Sequence, residues 1–264
     1  MPKKLFMTDL DGTALGGGFL PYDRFPDHYS DFLDELAARG WDWAINTTWE
    51  PEGQWKLVLQ SKVESRPRFL IAEFGRQLIE VRNNELMRVN PYTERNDLRI
   101  AEYCQKYLLP LLNRLFMRIQ PRSIMYYEHL VTVKYRHEIM KDMFPELTNA
   151  EASNIFDIYL DKHTLSLRAK FLSKGLPMPI IIDRFGYRPE NIICAGDELM
   201  DLGMMDPLYS KVYLAPGNAN EDLKKYVIAH GGYIGTKSFA AGTIEAFYRW
   251  QETITNNGER GLSC

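Results

Sequence analysis

Apolar residues fall in two rhythms along this chain. Leu5-Phe6-Met7 and residues 69–72 are short continuous apolar runs, and residues 41–45 are apolar but for Asp42, each stopped by polar residues. Runs of this length, rich in aromatic and β-branched side chains, predict buried strands. Between the first two, Phe32, Leu33 and Leu36 recur at helical spacing over 29–39, and Gly40 stands where a helix ends. Pro51 opens a second helix that reaches Gln60. Strand, helix, strand, helix, strand predicts a parallel sheet with right-handed crossovers. The stretch before the first helix holds Gly16-Gly17-Gly18, Pro21 and Pro26 and reads as a loop at the end of that sheet.

After residue 75 the rhythm changes. Residues 77–81 and 86–89 read as a hairpin around Asn83-Asn84. A long helix follows over 94–115, interrupted or kinked at Pro110. Residues 123–136 alternate like a strand or a pair of strands, 148–158 read as a helix, and 164–169 alternate again. Antiparallel alternation with helices to one side predicts an inserted α+β unit over 78–171. The first rhythm then resumes. A helix reaches Phe185 with Pro177 and Pro179 in its first turn, strands follow at 191–195 and 212–215, and a helix covers 221–230. A short strand at Tyr233-Ile234 and a helix over 242–250 complete it, and the polar tail from Thr255 is expected to fray. The fold class is therefore α/β, a doubly wound parallel sheet built from 1–77 and 172–264 and interrupted by 78–171.

Composition narrows the function classes. A chain of 264 residues with a net charge of -3 offers no basic surface for nucleic acid or anionic lipid. No apolar stretch approaches membrane-spanning length, and no signal-peptide pattern precedes the first strand. Cys104, Cys194 and Cys264 have no zinc-ligand spacing and no disulfide framework. A cytoplasmic protein, monomeric or a small homo-oligomer, is expected, with neither nucleic-acid nor membrane partners.

The candidate chemistry lies at strand ends, where open parallel sheets bind ligands. The first strand ends at Asp9-Leu10-Asp11-Gly12-Thr13. Period two puts both carboxylates on one side if the strand persists, and their repulsion calls for a hard divalent cation. Asn46-Thr47-Thr48, Gly196-Asp197 with Asp201, and Asn218 end three further strands. Asp197 and Asp201 are four residues apart, one helical turn, so with Asp9 they form an acidic cluster suited to magnesium. Lys174 is poorly placed for a helix start unless it faces that cluster or a bound anion.

These residues resemble the haloacid dehalogenase-like phosphohydrolases. Asp9-Leu10-Asp11-Gly12-Thr13 looks like the first motif of that family, Thr47 like the second, Lys174 like the third, and Gly196-Asp197 with Asp201 like the fourth. The insertion falls between the second and third motifs, as in members with a type C2 cap. Ser173-Lys174-Gly175 and Pro216-Gly217-Asn218-Ala219 are similar to stretches of the sugar-phosphatase branch. The resemblance spans the whole chain and implies a Rossmann-like core with an inserted α+β cap. It also implies Mg2+ held by Asp9, the Asp11 main-chain carbonyl and Asp197. Asp9 would be the nucleophile and Asp11 the general acid and base. Thr47 and Lys174 would hold the phosphoryl oxygens, with Asp201 orienting Lys174 or metal-bound water and Asn218 at the rim. Thr48 and Arg76 are further candidates for contact with the substrate.

Two positions depart from the family pattern. Thr47-Thr48-Trp49 stands where that branch reads Thr-Gly-Arg, and Met200 stands where the fourth motif carries asparagine. In the insertion Tyr126, Tyr127, His129, Arg136, His163 and Arg168 could meet a sugar, although each is more simply structural. Three functions stay open: a Mg-dependent phosphatase of a small phosphorylated metabolite such as a sugar phosphate, working through an aspartyl-phosphate; a phosphomannomutase-like phosphomutase; and a non-catalytic phosphometabolite-binding protein.

Overall fold

The computed structural model describes residues 2–18, 22–140, 143–147 and 150–260, the last six of these by backbone alone. Pro21, Thr148 and Cys264, which figured in the sequence reading, lie outside the described residues. The chain divides into two compact units, Met1–Tyr92 with Ser173–Cys264, and Thr93–Leu172.

The first unit is built on one sheet of eight strands. In chain order these are β1 (Lys4–Thr8), β2 (Trp41–Asn46), β3 (Phe69–Ala72), β4 (Gln77–Arg82), β5 (Glu85–Arg88), β10 (Ile192–Ala195), β11 (Val212–Ala215) and β12 (Tyr233–Ile234). Their order across the sheet is β12-β11-β10-β1-β2-β3-β4-β5. All pairs from β12 to β3 are parallel, and the hairpin β4–β5 adds two antiparallel strands beyond β3. The sequence reading placed residues 78–92 in the insertion. That boundary is corrected, because β4 pairs with β3 from Phe69↔Glu80 to Ala72↔Gln77. Alternation alone cannot tell which sheet a hairpin joins. Its turn is as read: Asn83 and Asn84 both have positive φ, 51° and 63°, a conformation that asparagine tolerates well.

Helices cover both faces. Within β1, Phe6 belongs to one core with Trp43, Leu36 and Phe247, while Leu5 and Met7 belong to the other with Ile181, Phe185 and Val227. The first core takes α1 (Asp27–Ala38), α2 (Pro51–Gln60) and α8 (Phe239–Arg260), and the second takes α6 (Met178–Phe185) and α7 (Glu221–Ala229). Side chains alternate across a strand, so strands buried on both faces must be apolar at successive positions, which is why these runs read as continuous. Helix α8 continues through Arg260, past the end read at residue 250 and into the tail from Thr255 that was expected to fray.

The second unit is a separate sheet, β6-β7-β9-β8, wholly antiparallel. Its strands are β6 (Ser123–Tyr127), β7 (Leu130–Lys134), β8 (Phe156–Asp161) and β9 (Thr164–Ala169). Val131, Val133, Leu165, Leu167 and Ala169 are fully buried, as are Leu108 and Leu115 on its helices to within 1%. The predicted long helix is present as α3 (Tyr92–Tyr103) and α4 (Leu109–Arg118), joined by a π-turn at Cys104–Leu108. Pro110 has no N–H to give the preceding turn, so the interruption falls just ahead of it. The helix read over 148–158 is corrected. Only Ala150–Ile155 is helical (α5), and residue 156 begins β8, whose alternating Phe156, Ile158 and Leu160 were the missed signal. Arg168 is paired with Asp157 across β8 and β9, and His129 is buried.

The aromatic cluster of the first core is expected to dominate its stability. The Phe247 ring meets Phe32, Trp250, Trp41 and Phe6 at 5.1, 5.3, 5.7 and 5.9 Å, mostly edge to face. Phe247→Ala should lower the unfolding free energy by about 3–5 kcal/mol in urea denaturation. A loss below about 1 kcal/mol would mean that the core closes over the gap.

Candidate functional site

The site is assembled at the carboxyl ends of β1, β2 and β10, the three central parallel strands. Asp9 follows β1 directly, and its N–H donates to the Ala195 carbonyl at 3.0 Å, one step beyond the ladder. The chain then turns tightly. The N–H groups of Thr13, Ala14 and Leu15 all point at the Leu10 carbonyl, and Leu10 and Leu15 are buried beneath the turn. Strand geometry therefore does not persist to Asp11, contrary to the period-two expectation. Asp9 is buried, whereas Asp11 is exposed.

Gly12 makes the turn possible. Its φ is +83°, and a Cβ there would stand 2.0 Å from Asp197 Oδ2, so any side chain would be both strained and in collision with a carboxylate. The next residue completes the contact, with Thr13 Oγ1 donating to Asp197 Oδ1 at 2.9 Å.

Lys174 lies on the loop ahead of α6, not within a helix, and only 1% of it is exposed. Its Nζ donates to Asp9 Oδ1 at 2.6 Å and to Asp201 Oδ1 at 2.5 Å. Its main-chain carbonyl accepts from Asn46 Nδ2 at 2.8 Å. Burial alone would lower the Lys174 pKa, but the charges and hydrogen bonds of Asp201 and Asp9 outweigh it, so the ammonium stays protonated.

Asp201 is fully engaged. Its Oδ2 accepts from the Asp197 and Glu198 N–H groups, both at 2.9 Å. It thereby caps the short 3₁₀ turn Leu199–Gly203 while its other oxygen holds Lys174. Asp9, Asp197 and Asp201 each bring an oxygen within 4.8 Å of the others. The Asp11 carboxylate is not part of that cluster, and its Oδ2 instead accepts from the Trp49 indole N–H at 2.6 Å. Thr47 is buried at the end of β2, its N–H on the Ile71 carbonyl, and Thr48 is half-buried beside it.

Two of the sequence candidates have other employment. Asn218 donates to the Gly12 carbonyl at 2.8 Å and accepts from the Phe239 N–H at 2.6 Å. Both ends of its amide tie loops together, so it braces the Gly12 turn rather than waiting free for a ligand. Arg76 is paired with Glu73. Three supports were not assigned from sequence: Asn46 on the lysine loop, Thr13 on Asp197, and Trp49 on Asp11. Only polarity at a strand end pointed to Asn46, and an indole carries no motif signal.

The donor set suits a hard divalent cation. Three buried carboxylates face a single ammonium, so the fully ionised cluster keeps a net charge of minus two. Oxygen ligands of this kind favour magnesium over softer metals. Asp9 and Asp197, with oxygens within 4.8 Å of each other, are the natural holders. Asp201 serves better as the group that fixes Lys174.

Known proteins enlarge the picture. No protein-family model matches the sequence, and no curated protein matches it. Solved structures do. The sucrose-phosphatase from Synechocystis sp. PCC6803, determined with sucrose and phosphate, is 17% identical with a TM-score of 0.65, over 95% of this chain and 99% of that one. A haloacid dehalogenase-like hydrolase from Bacteroides thetaiotaomicron is 17% identical with a TM-score of 0.56, over 84% and 91%. A trehalose-6-phosphate phosphatase from Aspergillus fumigatus is 19% identical with a TM-score of 0.53, over 81% and 82%. At such identities the likeness is one of fold, and this chain has the fold of the haloacid dehalogenase-like hydrolases.

The cluster gives a pH-dependent expectation. Burial pushes Asp197 from 3.8 up to about 6, and it raises Asp9 against the pull of Lys174. The metal-free folded protein thus keeps a proton that the unfolded chain has lost between about pH 4 and pH 6, and its stability falls as pH rises through that window. A cation on the ionised carboxylates offsets the loss. Millimolar Mg2+ should raise Tm clearly more at about pH 7.5 than at about pH 4.5 in a thermal melt. Equal shifts at both values would mean that these carboxylates do not take the ion.

Proposed function

We propose that this chain, with the fold of the haloacid dehalogenase-like hydrolases, is a Mg-dependent phosphatase acting on a small phosphorylated metabolite of the sugar-phosphate class. The observation that carries this reading is the buried lysine bridging two aspartates beside a third, at the carboxyl ends of the central strands. A structural ion pair needs neither the extra carboxylate nor the convergence of three strand ends. A site for a phosphoryl group beside a cation needs both.

In this mechanism Asp9 attacks phosphorus. A bond forms from its carboxylate oxygen while the bond from phosphorus to the ester oxygen breaks. Asp11 gives the departing oxygen its proton, then takes one from the water that attacks the aspartyl-phosphate and releases phosphate. Lys174 holds the negative oxygens of the transferring group, and the buried Thr47 stands ready to do so from β2. Asp201 fixes the ammonium in place through Oδ1 while its Oδ2 stays on the turn. Mg2+ held by Asp9, Asp197 and the Asp11 main-chain carbonyl would supply the positive charge that lets an anionic nucleophile approach an anionic ester.

The sugar-phosphate class draws support from two neighbours, a sucrose-phosphatase and a trehalose-6-phosphate phosphatase. The inserted α+β unit is assigned the role of a cap that selects the leaving group, as the resemblance implies. Cytoplasmic residence belongs to the same proposal, in keeping with Cys194, a buried cysteine in no disulfide.

Phosphate release from p-nitrophenyl phosphate and a panel of hexose phosphates is the test. Mg-dependent release abolished by EDTA is expected, and Asp9→Asn should reduce it by at least about a thousandfold, the loss of a covalent nucleophile. Full activity of Asp9→Asn would remove the nucleophile assignment. An isomerised sugar phosphate with little free phosphate would identify a mutase, and ligand-induced stabilisation without turnover a binding protein.

A further inference from the structure

Trp49 is the residue by which this chain departs most from the motif it otherwise matches, and its surroundings give it a task. Its carbonyl accepts from Gln54 Nε2 at 3.0 Å and from the Glu73 N–H at 3.3 Å. Gln54 is itself fully buried and also donates to the Ile71 carbonyl at 3.2 Å. The backbone of Trp49 is therefore pinned from α2 and from the loop after β3. Its ring is half-buried and packs against the aromatic core. With backbone and ring both fixed, the indole N–H is aimed at one acceptor, Asp11 Oδ2, at 2.6 Å. Among the described residues it is the one donor on that carboxylate.

Asp11 has little else to hold it. It is exposed and stands at a tight turn, so the indole is what fixes its carboxylate. A general acid that hands a proton to a leaving oxygen works only from the right geometry. One fixed hydrogen bond on Oδ2 leaves Oδ1 to carry the proton and sets where it points.

We propose that Trp49 is the positioning residue for Asp11, its indole N–H orienting the carboxyl that protonates the leaving group. This rests on the phosphatase reading given above.

The leaving group separates this role from a merely structural one. p-Nitrophenolate departs without needing a proton, whereas an alkoxide does not, so misplacing the acid slows only the second. The measure is kcat/KM, which reports the steps through departure of the leaving group. Trp49→Phe keeps an aromatic ring and deletes the N–H. It should lower kcat/KM for a hexose phosphate or for glycerol 2-phosphate by roughly tenfold or more, and for p-nitrophenyl phosphate by less than about threefold. Trp49→Tyr, which restores a hydrogen-bond donor on a ring, should recover part of the loss on the alkyl esters.

Equal losses on both ester types would overturn the inference while leaving the phosphatase reading intact. So would the same ratio in the Phe and Tyr variants. If neither variant gives a cooperative thermal melt, the ring is needed as packing and the inference falls. If the wild-type protein releases no phosphate from any ester with Mg2+, the phosphatase reading fails and takes this inference with it.

Discussion

A lysine with 1% of its surface exposed, held between two carboxylates, is the constraint on which the first unit turns. Taking an ammonium out of water costs several kcal/mol unless its partners are close and well aimed, and the same holds for each carboxylate. Every element near Lys174 is arranged to meet that demand. Asp9 comes from β1, and Asp201 from the turn after β10. Asn46 at the end of β2 fixes the carbonyl of the lysine itself. Replacing the group by apolar residues of similar volume would often be neutral or stabilising. Its presence therefore points to chemistry more than to stability.

Topology explains why these residues meet. β1 lies between β2 and β10, so the chain leaves β1 toward one side of the sheet and, after the insertion, returns on the other. A crevice opens at the carboxyl ends of such a switch point, between crossovers that diverge to opposite faces. Asp9 sits at that position by connectivity, and Asp197 and Asp201 follow the neighbouring strand. Close approach of the loops completes the site. Gly12 admits the Asp197 carboxylate into the space of a missing side chain. Gly175, beside the lysine, lies where a Cβ would stand 2.2 Å from the Gly203 carbonyl.

The parallel strands were legible because strands buried on two faces carry no polar positions, and their ends were legible because carboxylates interrupt them. Asp9, Asp197 and Asp201 were singled out in this way, and Lys174 by its poor fit to the start of a helix. What escaped was pairing partner and orientation. The hairpin at 77–88 alternates as any hairpin does, and nothing local says that β4 will join β3. Residues 156–161 follow a short helix without a break, so their period of two was absorbed into the period of the helix. Asn218 looked like a ligand because it follows a strand, yet both ends of its amide brace other loops. A strand end tells where a side chain starts, and the loops packed around it decide what it faces.

The two departures from the family pattern have different weights in the structure. Met200 is 41% exposed on a 3₁₀ turn that Asp201 and Glu198 already cap, so the turn keeps its shape without a polar group there. Trp49 is another matter, because its N–H reaches the Asp11 carboxylate at 2.6 Å. An indole carries no charge. It can orient a carboxyl without the strong preference for the ionised form that a guanidinium at the same distance would impose. Exchanging arginine for tryptophan at this position thus need not weaken the site. It gives up a charged anchor and gains a rigid, uncharged hold on the Asp11 carboxylate.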